Sequence, residues 1–224
     1  MRELKGILTD VINGASRFSR NQLDYRGNRF AGWSMNEKRG NKPYYPPLGC
    51  IGIGLRVKQC YDNGNDIWIG NNNSPVEWCV DYHGVGRGQS SDNVKKITRM
   101  IYMTGFRQGS GGMHKNCPDE FHPGKTVGEG IYCTPKFQTA EECAGISVIN
   151  GIEYKTILMV RVKPSSIRHC SDLKIFGLLM EQLMKYALIG YYIKKLAKND
   201  IIKRMKNIFI YPYKNEIDHI KIGV

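Results

Sequence analysis

The sequence predicts an α+β domain in which a few helices flank a sheet of short strands. Residues 78–84 and 128–135 each have the apolar-rich pattern of a short strand with glycine beside it, and apolar residues at helical spacing lie between them. Residues 156–162 form a nearly continuous apolar run, which is typical of a central, buried strand. With 224 residues and 41% hydrophobic content, the chain is long enough for one domain with a substantial core.

The N-terminal part of the chain is polar and basic, with few periodic apolar positions. We interpret residues 1–42 as a loosely packed basic arm. We favour a solvated arm over a contact with nucleic acid or a protein partner, because basic runs specify little by themselves. Phe30 and Trp33 are the exception, since side chains of that size are expected to dock on the domain behind them.

Residues 43–47, Pro-Tyr-Tyr-Pro-Pro, predict an extended connector, because each proline fixes φ and biases the preceding residue towards extended geometry. The ordered domain is expected to begin here. Residues 51–57 alternate apolar and small side chains, residues 62–65 (Asp-Asn-Gly-Asn) are a strong turn signal, and residues 67–69 are apolar again. This pattern predicts a β-hairpin.

Residues 78–84, Trp-Cys-Val-Asp-Tyr-His-Gly, predict a strand whose side chains alternate between two faces. One face would carry Trp78, Val80 and Tyr82, and the other Cys79, Asp81 and His83. The strand is expected to end at Gly84, where the missing Cβ would let a flat ligand lie against the peptide group.

A helix is predicted after this strand, with Ser91 or Asp92 as its N-cap and Gly105 at its end. Its buried face would carry Val94, Ile97 and Ile101. Residues 107–125 then lack periodicity and contain several glycines. A segment of that length predicts a mobile loop, which we expect to cover part of the functional cleft.

The second key strand pattern, residues 128–135, leads into a predicted helix over residues 137–144, for which Thr134-Pro135 is a good start signal. Pro164 ends the predicted central strand.

The composition changes near residue 171, and the apolar residues 175–193 predict a helix. Its polar positions are Glu181, Gln182 and Lys185. These would cost several kcal/mol inside a bilayer, so an amphipathic or buried helix is favoured over a membrane span. We interpret residues 171–224 as a helical, basic C-terminal extension with a second helix over residues 200–208 and no evident strand pair.

The formal charge of +13 predicts attraction to nucleic acid, acidic proteins or anionic surfaces. Seven cysteines at irregular positions and no signal-peptide pattern favour a reducing, intracellular setting, cytoplasmic or nuclear. The grouping closest to a metal site is His114, Cys117, His122 and Cys133. Its spacing fits no standard zinc arrangement, so buried thiols are favoured and no metal is expected.

Four motifs follow one another in a characteristic order: His83-Gly84, then Tyr-Met-Thr-Gly-Phe at residues 102–106, Gly-Glu-Gly-Ile-Tyr at residues 128–132, and Ala-Glu-Glu-Cys-Ala at residues 140–144. Together they resemble the catalytic core of ADP-ribosyltransferases of the poly(ADP-ribose) polymerase type. Order and spacing agree with that family from about residue 78 to about residue 162. Without the combined pattern, His83 would be interpreted as a structural strand-end residue and Tyr132 as a core aromatic.

The resemblance implies an ADP-ribosyltransferase-like domain over residues 43–170, with a mixed, mostly antiparallel β-sheet core, flanking helices and NAD as co-substrate. His83 would bond the adenosine ribose, Gly84 would clamp the nicotinamide carboxamide through its backbone, and Tyr132 would stack near the nicotinamide. In the family a glutamate on a late strand bridges the nicotinamide ribose and orients the acceptor. The candidate for that position is Glu216.

Two positions depart from the family pattern. The family has a serine eight residues beyond the strand tyrosine and a second tyrosine eleven beyond it, where this chain has Ala140 and Cys143. Each loss would cost about 1 to 3 kcal/mol of NAD binding. The sequence therefore predicts an NAD-dependent (mono-)ADP-ribosyltransferase acting on a protein or nucleic-acid acceptor. The alternative is a catalytically inactive module of the same fold that binds NAD, ADP-ribose, nucleic acid or a protein partner.

Overall fold

The structure, a computed structural model, describes residues 23–24, 37–45, 47, 50–55, 57–104, 106, 115–128, 130–170, 176–179 and 186–196. Its strands are β1 (Leu23–Asp24), β2 (Lys38–Arg39), β3 (Lys42–Pro43), β4 (Ile51–Leu55), β5 (Cys79–Gly84), β6 (Gly130–Cys133), β7 (Ile146–Ile149), β8 (Ile152–Val162), β9 (Ile167–His169), β10 (Phe176–Leu179) and β11 (Tyr186–Lys195). Its α-helices are α1 (Ser91–Thr104) and α2 (Phe137–Glu142). The architecture is α+β with an antiparallel sheet core.

The large sheet has the order β1-β4-β11-β8-β5, with β7 pairing to β8 as well, and every pairing in it is antiparallel. Strand β8 lies between β11 and β5. Ile157 and Leu158, adjacent residues that face opposite sides of the sheet, are both almost completely buried, as an apolar strand covered on both faces requires. The predicted strands over residues 78–84 and 156–162 are confirmed.

The small sheet has the order β6-β10-β9, and among the described residues one isolated bridge joins its edge strand to β5 of the large sheet. Tyr82 of β5 and Thr134, just after β6, exchange both backbone hydrogen bonds, at 2.8 and 3.0 Å. This pair aligns the end of β5 with the end of β6. The predicted second key strand is thus confirmed as a strand, and it pairs with β10 rather than forming part of the large sheet.

The side chains of β5 alternate as predicted. Val80 and Tyr82 pack against α2 and its neighbours, whereas Cys79 faces the main core and Asp81 contacts Cys133 of β6. Trp78, which precedes the strand, instead belongs to a separate aromatic cluster.

The helices predicted to begin at residues 91–92 and over residues 137–144 are confirmed, as α1 and α2. Val94 is fully buried and Ile101 nearly so, and Ile97 packs against the main core, so one apolar face anchors α1.

The predicted hairpin over residues 51–69 is wrong. Strand β4 forms, but it pairs with β1 and β11, while residues Asp66–Ile69 form a 3₁₀ helix. Asn65 caps that helix by accepting a hydrogen bond from the Ile67 backbone N–H at 3.0 Å. The turn buries Trp68 completely against Trp78, with ring centroids 5.2 Å apart. Burial of this aromatic pair stabilises the turn, although the local sequence pattern favours a strand.

The helix predicted over residues 175–193 is also wrong. The described residues of this segment form strands: β10 pairs with β6 and β9, and β11 fills the gap between β4 and β8. The sheet therefore includes residues beyond the range 43–170, because β11 is one of its central strands. A continuous apolar run is compatible with a strand buried on both faces as well as with a helix. The strand forms here because it can pair with neighbouring strands on both sides. The second predicted helix, residues 200–208, lies outside the described residues.

The N-terminal segment contributes to the fold where it is described. Strand β1 extends the large sheet, and β2 and β3 form a hairpin whose Gly40 is buried beside the backbone of Glu77. A Cβ at Gly40 would overlap the Glu77 carbonyl oxygen, and φ there is +56°. The expectations for Phe30 and Trp33 lie outside the described residues. No helix among the described residues is long and apolar enough to cross a membrane.

A buried guanidinium fastens the segment before β5 to β8. Arg161 is only 5% exposed and donates to the carbonyl oxygens of Trp78 at 2.6 Å and Gly70 at 2.7 Å. Burial lowers its pKa to about 10, so it remains charged at neutral pH. The fully buried carboxylate of Glu77 acts on this charge and is itself bonded by the backbone N–H groups of Asn72 and Ser74.

We predict that Arg161→Met lowers the free energy of unfolding by about 3 kcal/mol, because it leaves buried carbonyl groups without donors and a buried carboxylate without its countercharge. The matched control is Lys95→Met, which removes an exposed ion pair with Asp92 and should cost about 0.5 kcal/mol or less. Urea unfolding followed by far-UV circular dichroism measures both. Equal stability losses in the two variants would show that Arg161 has no special role.

Candidate functional site

His83 lies at the end of β5, where two contacts fix its imidazole. Nδ1 is 2.7 Å from the backbone carbonyl oxygen of Tyr132, and the ring meets that of Phe106 edge to face, with centroids 5.1 Å apart. Because a carbonyl oxygen only accepts, Nδ1 must carry the proton. Burial lowers the pKa of His83 from its usual 6.5, with the Tyr132 bond opposing this effect, so the ring is neutral at pH 7.

The fixed tautomer determines what His83 offers a ligand. With the proton on Nδ1, Nε2 has a free lone pair and acts as a hydrogen-bond acceptor. Within the part of the chain that the structure describes, Nε2 makes no hydrogen bond. A hydroxyl group is the natural donor for such an atom.

Gly84 is required for helix packing. A Cβ there would overlap the carbonyl oxygen of Ala140 and lie 2.7 Å from the backbone nitrogen of Ala144. The end of β5 therefore lies directly against the backbone at the C-terminal end of α2. The expectation that Gly84 leaves room for a flat ligand is wrong for the direction of its missing Cβ, since α2 fills that space. The close approach also brings the backbone of Cys143, a partly exposed residue with a free thiol, beside the His83-Gly84 corner.

The backbone and the ring of Tyr132 lie in different surroundings. Its carbonyl oxygen receives the His83 hydrogen bond, while its ring packs with Cys117, Val127 and Cys170. Its hydroxyl donates to the carbonyl oxygen of Gly128 at the start of the same strand segment. The structure thus brings His83 to the Tyr132 backbone, with the tyrosine ring turned towards the 115–128 segment. His83, Gly84, Ala140 and Cys143 come together at one corner. Glu216 lies outside the described residues.

The suggested metal grouping does not form among its described members. Cys117 is joined to Cys170 by a disulfide with a Cα–Cα distance of 5.7 Å, and His122 Nδ1 lies 3.0 Å from an Asp119 carboxylate oxygen. Cys133 donates to Asp81 in the core. Among the described residues, no group of three or more His, Cys, Asp or Glu side chains is placed to hold a metal ion.

Residues 115–128 form a cross-linked turn that we call the clasp. Residues 107–125 are predicted to form a mobile loop that covers part of the cleft, and the described part of that segment, from residue 115, is a loop of turns fixed by several cross-links. Its mobility stays a prediction. Besides the Cys117–Cys170 disulfide, the buried Asp119 carboxylate binds Arg168 at 2.8 Å and the backbone N–H of Phe121 at 3.0 Å. Sequence reasoning missed this arrangement, because neither a disulfide pairing nor a carboxylate's distant arginine can be deduced from spacing.

The pKa values of the clasp carboxylate, Asp119, and the core carboxylate, Asp81, are shifted in opposite directions. Burial alone raises the pKa of Asp119, but hydrogen bonds from the side chains of Arg168 and His122 and from the Phe121 backbone N–H outweigh it and lower the pKa to about 2. Burial raises the pKa of Asp81 to about 6, despite the opposing hydrogen bond from Cys133 and the charge of Lys42.

The sequence matches no model of a known protein family and no curated protein.

We predict that Asp81 makes the protein less stable as pH rises from about 4 to about 6. Its folded pKa lies above the usual 3.8, so its contribution is most favourable below that value and is lost as the carboxyl ionises in the core. The loss at neutral pH should be roughly 3 kcal/mol. Asp81→Asn should flatten the pH dependence of unfolding by urea in this window.

Asp119→Asn is the control for this experiment. Because the folded pKa of Asp119 is lowered to about 2, its stabilising effect is lost only as pH falls below about 4. This variant should be less stable at neutral pH but keep the wild-type slope between pH 4 and 6. An unchanged slope in Asp81→Asn would contradict the assignment.

Proposed function

We propose that this chain binds NAD at the His83-Gly84 corner and transfers ADP-ribose from it to a protein or nucleic-acid acceptor. The observation that carries the proposal is the imidazole of His83, which is neutral, locked in one tautomer and left with Nε2 as a hydrogen-bond acceptor. A ribose hydroxyl of NAD is a donor that suits this atom. The neighbouring motifs at residues 128–132 and 140–144 supply the rest of the resemblance to ADP-ribosyltransferases.

In the enzymes that the chain resembles, the bond between nicotinamide and ribose breaks through an oxocarbenium-like transition state. Nicotinamide leaves with the bonding electron pair, and the acceptor's nucleophile bonds to the ribose carbon and loses a proton. The protein's task is to hold the dinucleotide rigidly and to stabilise the developing positive charge. His83 would position the adenosine ribose, the Gly84 backbone the carboxamide, and Glu216 the nicotinamide ribose and the acceptor.

A second candidate function is NAD or ADP-ribose binding without turnover. Ala140 offers no hydroxyl and Cys143 no aromatic face, so one hydrogen bond and one stacking contact of the family pocket are missing. The ring of Tyr132 packs on the clasp, which also favours weak binding. The two functions are separated by whether nicotinamide is released.

We predict that His83→Ala weakens NAD binding by roughly tenfold or more, since it removes a positioned acceptor, whereas Glu216→Gln lowers nicotinamide release and spares affinity. A carboxylate that acts mainly in the transition state has this signature. Isothermal titration calorimetry with NAD, together with an assay of released nicotinamide, measures both quantities. His122→Ala is the matched control. His122 contacts Asp119 in the clasp and not the His83-Gly84 corner, so this variant should bind NAD like the wild type.

Undiminished NAD affinity in His83→Ala would show that the site assignment is wrong. If Glu216→Gln changes neither affinity nor turnover, Glu216 is not the family's late glutamate. Binding without measurable nicotinamide release in the wild-type protein would select the second candidate function.

We also predict that NAD protects Cys143 from alkylation by iodoacetamide, because a dinucleotide bound at the His83-Gly84 corner would shield the neighbouring Cys143. With free NAD at about five times Kd, mass action leaves about one sixth of the sites empty, so the alkylation rate should fall about sixfold. Mass spectrometry of the modified peptides measures it. Cys60, an exposed free thiol, is the internal control and should react at an unchanged rate. Equal rates at Cys143 with and without NAD would place the ligand elsewhere.

A further inference from the structure

The clasp presents an aromatic ring to solvent. Phe121 is 61% exposed, and its backbone N–H is fixed by a 3.0 Å hydrogen bond to the buried Asp119. Its ring stands almost perpendicular to that of His169, at 82° with centroids 4.6 Å apart. A buried disulfide, Cys117–Cys170, holds the same turn against β9. The exposed ring is therefore held in place on a rigid base.

Cationic residues lie on the same turn as Phe121 and on the strand β9 beside it. Arg168 is anchored on Asp119 and keeps 24% of its side chain exposed, and Lys115 and Lys125 are exposed on the same turn. Lys42 lies close enough to His169 to add to the lowering of its pKa, which is caused first by burial. The opposing charges here are Asp119, already paired with Arg168, and the exposed Glu120.

The position of this surface relates it to the candidate site. Arg168 of β9 and Tyr132 of β6 both pair with Gly177 of β10, one from each side. Two strand spacings separate them, which is about 10 Å across the sheet. A chain lying on the clasp would thus pass close to the strand whose carbonyl oxygen holds His83.

We infer that the clasp is a binding surface for single-stranded nucleic acid, with a base stacked on Phe121 and phosphates bound by Arg168, Lys115 and Lys125. An aromatic ring set among cations is the combination by which proteins bind unpaired bases and their backbone. Every base has an aromatic face, so the surface would bind with little sequence preference. The overall charge of +13 draws such a chain to the protein. The bound strand would also be the acceptor for ADP-ribose, and this part of the inference rests on the proposed function.

The test is binding of a fluorescein-labelled eight-nucleotide RNA, measured by anisotropy without NAD. Phe121→Ala should weaken binding roughly tenfold, and Phe121→Trp should restore it, because stacking supplies that much per base. Lys125→Gln should reduce the slope of log affinity against log salt by about 0.7. The matched control is Val148→Ala on β7, another exposed apolar side chain, and it should bind like the wild type.

Equal RNA affinity in wild type and Phe121→Ala would overturn the inference. So would displacement of the RNA by poly-glutamate at the same charge concentration as by unlabelled RNA, since that result would assign the surface to acidic proteins. His83→Ala should bind the RNA normally and lose NAD-dependent modification of it. Because RNA binding is measured without NAD, a failure here leaves the NAD titration unaffected, and a failed NAD titration leaves the RNA result standing.

Discussion

The candidate site depends on one pair of backbone hydrogen bonds, between Tyr82 and Thr134. These bonds connect the large and the small sheet at the ends of β5 and β6. The residues on either side of Tyr82 then bind partners on β6. His83 is hydrogen-bonded to the Tyr132 carbonyl oxygen, and Asp81 accepts a hydrogen bond from the Cys133 thiol. Antiparallel pairing fixes such relations because a shift of one residue would turn every side chain to the opposite face.

The junction gives His83 properties that a strand-end histidine in solvent would lack. Burial keeps its ring neutral, and a carbonyl acceptor selects its tautomer, so a single nitrogen is offered as an acceptor. The same packing explains Gly84, whose missing Cβ lets the backbone of α2 approach. The site is therefore made largely by backbone geometry.

Two of the buried charges among the described residues hold irregular segments in place. Arg161 fastens the residues before β5 by hydrogen bonds to backbone carbonyls, whereas Asp119 anchors the clasp with Arg168. Both groups make several hydrogen bonds, which offset the cost of burying a full charge. Asp81 differs, because a thiol is a weak donor and its carboxylate remains costly to ionise in the core.

The sequence by itself determined the elements whose pattern is local and strong. Helix α1, strand β5 with its alternating faces, and the central strand β8 follow from apolar spacing, and the motifs around His83 and Tyr132 mark the two strand ends that meet at the candidate site. Tertiary structure alone decided the remainder. Residues 186–195 form a strand because a sheet position between β4 and β8 was open to them, and residues 66–69 form a turn because Trp68 is buried on Trp78. The Cys117–Cys170 bond and the pairing of Asp119 with Arg168 join residues about fifty positions apart, and no local pattern records such distant partners.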